Sequence, residues 1–235
     1  MPLGDRLTKW ERRVTMVPYQ AIFFDFDYTL GDATPSILAG FAYGLDQLGW
    51  PAPDADEIRR TVGYPLEESY TKLTGDRDPI HREQFRAYFT QAAQARQREE
   101  AVLLPGATEL LRWLGQKGVK RAVVSTKRAD TLRGILEHRG VANQFEVVLG
   151  GDDVSNSKPD PEGLLLAMEQ LEVSASQVLY CGDTVLDAEA AQRAGCHFSA
   201  VLNGTTPRQD FFPFPHVHIA PDLSELLDWL RKQAR

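Results

Sequence analysis

The sequence is short of several things. It has only two cysteines in 235 residues, Cys181 and Cys196, and three methionines. A pair so sparse is no disulfide framework, and both lie among apolar or small neighbours, as reduced core thiols do. No apolar run approaches the ~20 residues of a membrane span. The first sixteen residues are charged around Trp10-Glu11-Arg12-Arg13 and lack the apolar stretch of a secretory signal. The expectation is a cytoplasmic protein with no membrane partner. Positive charge is in deficit: the formal net charge is -7. That balance argues against nucleic acid as a partner, and any phosphate site needs its own local cation.

What is present is ordinary globular material, 43% hydrophobic and 25% charged. The length fits one large domain or a core with a smaller companion. Ala21 to Phe24 reads as a buried strand, and a helical stretch follows near Pro35 to Leu48. Asp54-Ala55-Asp56-Glu57 has the form of a capped, acidic helix start. Helical sequence continues to about Arg98 with breaks near Gly63-Tyr64-Pro65 and Thr74-Gly75, and no strand interrupts it. From Leu104 strands and helices alternate. Strands are expected at Lys120 to Val124, Phe145 to Leu149, Val178 to Cys181 and His197 to Leu202. Helices are expected at Ala107 to Gln116, Ala129 to His138, Pro161 to Leu171 and Leu223 to Lys232. This rhythm predicts an α/β fold, a Rossmann-like parallel sheet sandwiched by helices, with a small all-helical domain inserted after the first strand. The divisions are an N-terminal extension over 1–18, the α/β core over 19–32 and 104–235, and the helical insertion over 33–103.

Four places can carry chemistry, each where a strand gives way to a loop or helix. Ligands of open α/β sheets bind outside the carboxyl ends of the strands. Asp25 and Asp27 form an acid pair after the first strand. Read alone, they are better explained by turn and capping roles. Ser125 ends the Ala122-Val123-Val124 strand, where a hydroxyl and backbone N–H groups can hold a phosphate oxygen or simply cap a helix. Lys158 sits in Ser157-Lys158-Pro159-Asp160-Pro161, a turn made rigid by its prolines. Asp183 and Asp187 in Gly182-Asp183-Thr184-Val185-Leu186-Asp187 lie one helical turn apart and can face one point. Carboxylate oxygens of this kind suit Mg²⁺.

Taken together, acid pair, hydroxyl, lysine and acid pair resemble the haloacid dehalogenase-like hydrolase superfamily, in its phosphoglycolate phosphatase-like branch. The resemblance runs from Ala21 to the C-terminus. It implies that Asp25 is a nucleophile forming an aspartyl-phosphate, and that Asp27 protonates the leaving oxygen and then activates water. It implies that Ser125 and the Thr126 N–H hold the phosphoryl group while Lys158 balances its charge. It implies Mg²⁺ bound through the Asp25 carboxylate, the Asp27 carbonyl, Asp183 and Asp187. The substrate so implied is a small phosphorylated metabolite, and the protein a monomer or homodimer. Asp27 favours phosphate esters over halides, because an alkoxide needs a proton to leave and a halide does not. A phosphosugar mutase of the same superfamily is the alternative enzyme, and a non-catalytic phosphate- or Mg²⁺-binding module the alternative of another class. The helical insertion occupies the position of the family's cap. Its Arg59, Arg60, Tyr64 and Lys72 are within reach of a substrate's far end, although solvated or packing roles explain them more simply. Tyr28 stands where the family pattern often has glycine, either packing or touching the substrate.

Overall fold

The computed structural model describes residues 17–234. The N-terminal extension expected over 1–18 therefore lies outside the described residues, except for Val17 and Pro18.

The main sheet has six strands in the order β5-β4-β1-β6-β7-β8. These are β1 (Ala21–Phe24), β4 (Lys120–Val124), β5 (Val147–Leu149), β6 (Val178–Gly182), β7 (His197–Val201) and β8 (His218–Ala220), and all pair in parallel. β1 is fully buried, as the unbroken apolar run Ala-Ile-Phe-Phe requires of a central parallel strand. Alternation then sorts its side chains to opposite faces. Ile22 and Phe24 join the cluster built by α5 (Ala107–Gln116), α6 (Ala129–His138) and α9 (Leu223–Gln233). Ala21 and Phe23 join the cluster of α7 (Glu162–Leu171) and α8 (Val185–Ala194). The result is a three-layer sandwich. The chain leaves β1 for β4 and β5 on one side, then returns to β6 on the other. The carboxyl ends of β1, β4 and β6 thus flank a topological switch point.

Between β1 and β4 the chain makes a short antiparallel pair, β2 (Gly31–Asp32) with β3 (Val102–Leu103). That pair is the neck of the helical insertion: α1 (Thr34–Gln47), α2 (Ala55–Arg59), α3 (Leu66–Thr74) and α4 (Pro79–Glu100). The expected capped start at Asp54 is a full capping box, its side chain accepting from the Asp56 N–H while Glu57 accepts from the Asp54 N–H. α1 and α4 lie face to face around an aromatic cluster. Phe41 meets Phe85 and Phe89 with ring centroids 5.3 Å apart in each case, and Tyr70 stacks on Phe85 at 5.1 Å.

Two expectations are corrected at element level. The strand expected from Phe145 begins at Val147, because Ala142–Gln144 forms a 3-10 turn that runs into it. β8 was not anticipated: a three-residue strand lying between Pro215 and Pro221 carries too little periodicity to show in sequence. No helix among the described residues is long and apolar enough to cross a membrane. Cys181 is buried and Cys196 half-buried, both as free thiols.

Candidate active site

β1 ends at Phe24, and Asp25 is held against β6 by its N–H, which donates to the Cys181 carbonyl at 2.9 Å. β6 in turn delivers Asp183 just past its end, and α8 begins two residues later with Asp187 in its first turn. Carboxylate oxygens of Asp25, Asp183 and Asp187 all lie within 4.8 Å of one another, and all three residues are buried. Lys158 reaches in from the loop before α7 and donates to Asp25 Oδ1 at 2.8 Å and Asp187 Oδ1 at 2.5 Å.

Three buried carboxylates sharing one ammonium leave an excess of negative charge, and the electrostatics follow from it. Burial pushes Asp25 up to about 6, with Lys158 opposing and the Asp187 charge adding to the rise. Burial likewise raises Asp183 well above the ordinary carboxylate range, and the charges of Asp187 and Asp25 raise it further. For Lys158, burial disfavours the charge, but Asp187 and Asp25 outweigh it and hold the ammonium above its ordinary value. A divalent cation among these oxygens inverts that balance.

The donor set fits such an ion. It is all oxygen, as Mg²⁺ prefers. The backbone also leaves room beside it: a Cβ on Gly204 would fall 2.0 Å from Asp183 Oδ2. Asp187 enters the cluster with both oxygens engaged, Oδ1 by Lys158 and the Tyr180 hydroxyl, Oδ2 by the N–H and hydroxyl of Thr184. Its position comes from the box that caps α8, and Gly182 is required below it, since a Cβ there would lie 2.4 Å from the Asp187 Cγ.

Ser125 stands at the end of β4, its N–H donating to the Leu149 carbonyl and its hydroxyl accepting from the Lys127 N–H at 3.3 Å. Ser125, Thr126 and Lys158 line one small cavity with Gly150 and Gly151. Asp27 opens instead on a larger cavity of about 90 Å³ under the helical insertion. Thr126 and Lys127 form its floor, and Phe41, Val62, Leu66 and Phe89 are among its walls. Asp27 Oδ2 is 3.0 Å from the Lys127 ammonium. Asp27 Oδ1 is buried with no hydrogen-bond partner among the described residues.

Of the insertion residues singled out in the sequence, only Tyr64 lines the cavity. Arg59 packs its guanidinium 5.6 Å from the centre of the Tyr28 ring, Lys72 lies over the Tyr64 ring at 4.1 Å, and Arg60 is exposed. Tyr28 packs: it is buried, and its hydroxyl is 2.8 Å from Thr34 Oγ1. Its backbone sits at φ 57, the left-handed region that explains why glycine suits this position.

Sequence reasoning overlooked the parts played by Tyr180, Thr184 and Gln97. Tyr180 was legible in part, as the one side chain with a polar tip inside Val178-Leu179-Tyr180-Cys181. Its hydroxyl meets Lys158 at 3.1 Å, Asp187 at 2.8 Å and the Val124 carbonyl at 3.1 Å, tying β4, β6 and the lysine loop together. The Thr29 hydroxyl donates to Asp183 Oδ1 at 3.2 Å, linking the loop after β1 to the end of β6.

Known proteins share the chain's sequence pattern and its fold. Residues 22–201 match the family model for haloacid dehalogenase-like hydrolases. A phosphoglycolate phosphatase of Vibrio parahaemolyticus is 31% identical over 226 residues, spanning 92% of this chain and 97% of that one. One of Pseudomonas putida is 33% identical over 180 residues, 74% of this chain and 66% of the other. Among solved structures, a haloacid dehalogenase-like hydrolase from Bacteroides fragilis superimposes with a TM-score of 0.86 at 36% identity, covering 88% of this chain and 99% of that one. The chain belongs to the haloacid dehalogenase-like hydrolase family, in the branch that resembles the phosphoglycolate phosphatases.

Proposed function

We propose that the chain is a Mg²⁺-dependent phosphatase of small phosphorylated metabolites, with residues 19–32 and 104–235 as catalytic core and 33–103 as a cap that selects the leaving group. The observation that carries this reading is the pairing of two differently placed aspartates. Asp25 lies in the charge cluster with Lys158 and Asp183. Asp27, two residues on, faces the cavity under the cap.

In this reading Lys158 holds Asp25 Oδ1, leaving Oδ2 to attack phosphorus. An oxygen–phosphorus bond forms to Asp25 as the ester oxygen–phosphorus bond breaks, and Asp27 gives its proton to the departing oxygen. Water then attacks the phosphorus, Asp27 takes the proton, and phosphate leaves with the Asp25 carboxylate restored. Ser125 and the Thr126 N–H hold the phosphoryl oxygens throughout. Mg²⁺, held by Asp25, the Asp27 carbonyl and Asp183 with Asp187 behind them, supplies positive charge against the repulsion between carboxylate and phosphate. The cap walls exclude water from the leaving group. None of the cap side chains lining the cavity carries a positive charge. A mutase must grip a second phosphate, so this lining favours hydrolysis of monoesters instead.

The test is phosphate release from a panel of small esters and pyrophosphate, with Mg²⁺ and with chelator, for the wild type and Asp25→Asn. Release that needs the metal and falls by more than roughly 10³-fold in the variant is expected. Hydrolysis surviving in a folded Asp25→Asn protein would remove the assigned nucleophile.

A further inference from the structure

Among the described residues, Lys127 is the one charged group paired with Asp27. The ion pair spans 3.0 Å, with the Lys127 side chain 7% exposed and that of Asp27 12%. The same ammonium donates to Gln97 Oε1 at 2.8 Å. Gln97 belongs to the last turn of α4, in the cap, and is buried there at 3% exposure. A buried amide in a helix of mostly apolar inward contacts is costly without a partner, and its oxygen has this one. The ammonium also lies 6.0 Å from the centre of the Phe26 ring. One lysine of the core thus joins Asp27 to the helical insertion.

The division of labour between the two Asp27 oxygens follows. Lys127 occupies Oδ2, whereas Oδ1 is buried and without a partner among the described residues. A carboxyl group pinned by one oxygen presents the other in a fixed direction, and proton transfer depends steeply on such placement. We propose that Lys127 is a positioning residue for Asp27, holding Oδ2 so that Oδ1 is the oxygen that carries the proton, and that Gln97 makes this placement depend on the seated cap. The cap then contributes more than walls: when α4 is in place, the general acid is aimed. This inference rests on Asp27 being the general acid.

The experiment compares two esters that enter the same cavity but differ in their need for a proton. Phenyl phosphate leaves as a poor leaving group that requires protonation, and 2,4-dinitrophenyl phosphate leaves unaided. kcat and KM are measured for both with the wild type, Asp27→Asn, Lys127→Met and Gln97→Met, the folding of each being checked by circular dichroism. Asp27→Asn is expected to lose kcat/KM strongly for phenyl phosphate and weakly for the dinitrophenyl ester. Lys127→Met should follow the same pattern at roughly 10- to 10²-fold for phenyl phosphate, with KM little changed. Gln97→Met should shift the ratio the same way by less, and it keeps the test open should Lys127→Met not fold. Equal losses for both esters in Lys127→Met, beside a discriminating Asp27→Asn, would overturn the positioning role. So would a rise in KM alone, which would make Lys127 a substrate contact. A Gln97→Met enzyme with an unchanged ratio would sever the link to the cap. An Asp27→Asn enzyme that does not discriminate would instead remove the general acid itself, and this inference with it.

Discussion

At the carboxyl end of the sheet, Asp25, Asp183 and Asp187 are buried around a single ammonium. In the helical layer above, Phe41, Phe85, Phe89 and Tyr70 are buried around one another. The first region is held by paired charge and hydrogen bonds, the second by shape. In the first, removing one partner leaves a charge stranded in a medium that cannot solvate it. In the second, adding volume where α1 meets α4 forces close-packed rings apart.

The largest effect should come from breaking the charged region. Lys158→Met leaves the carboxylate cluster without its ammonium. Stability in chelator is expected to fall by ~3–5 kcal/mol, read from urea unfolding, with part of the loss recovered on adding Mg²⁺. A loss below about 1 kcal/mol would mean that the ammonium is not what holds the cluster.

A smaller effect is expected in the packed region. A Cβ on Gly40 would come within 2.7 Å of the Phe89 ring and 2.8 Å of the Ala93 Cβ. Gly40→Leu should therefore cost ~1–3 kcal/mol in the same unfolding measurement. Calorimetric titration should find Mg²⁺ affinity unchanged within about twofold, because distant sites act independently. A parallel loss of Mg²⁺ affinity would erase the distinction between the two regions.

The smallest effect concerns charge within the helical layer itself. The Asp78 N–H, first among several donors that include Tyr70 and His81, holds Asp76 down to about 2. The bond to Asp76 in turn raises His81 above its ordinary value. Asp76 thus contributes stability above its ordinary pKa and loses it as pH falls toward about 2. His81 contributes fully below its ordinary 6.5 and loses that contribution as pH rises through its higher folded value. Both are charged near pH ~5. The melting temperature of His81→Ala should fall below wild type there and approach it near pH ~8, by little in either case since the pair is exposed. A difference that grows with pH would contradict the assignment.

Much of the core was legible because its signals are local. Ala21 to Phe24 is an unbroken apolar run, and α5, β4 and α6 have the bounds their periodicity and glycine stops imply. The acid pairs, Ser125 and Lys158 could be found because each follows a strand end. The pairing of Lys127 with Asp27 and Gln97 was not legible. Its members lie far apart in sequence, and a lysine after a strand is equally at home in water. Arg59 and Lys72 take the simpler of the two roles the sequence left open: both rest on aromatic rings.

By itself the sequence determined the alternation of strands and helices, the place of the insertion, and the residue types at each strand end, because propensity, periodicity and turn chemistry act over a few neighbours. Tertiary structure alone decided which of these residues meet. The order β4-β1-β6 brings Asp25, Lys158 and Asp183 into one buried cluster, where shared charge shifts their affinities for protons. The docking of α4 against α6 decides that Lys127, in the loop before α6, faces Asp27 and Gln97 rather than solvent, since burial in company, and not residue type, makes an ammonium commit to a partner.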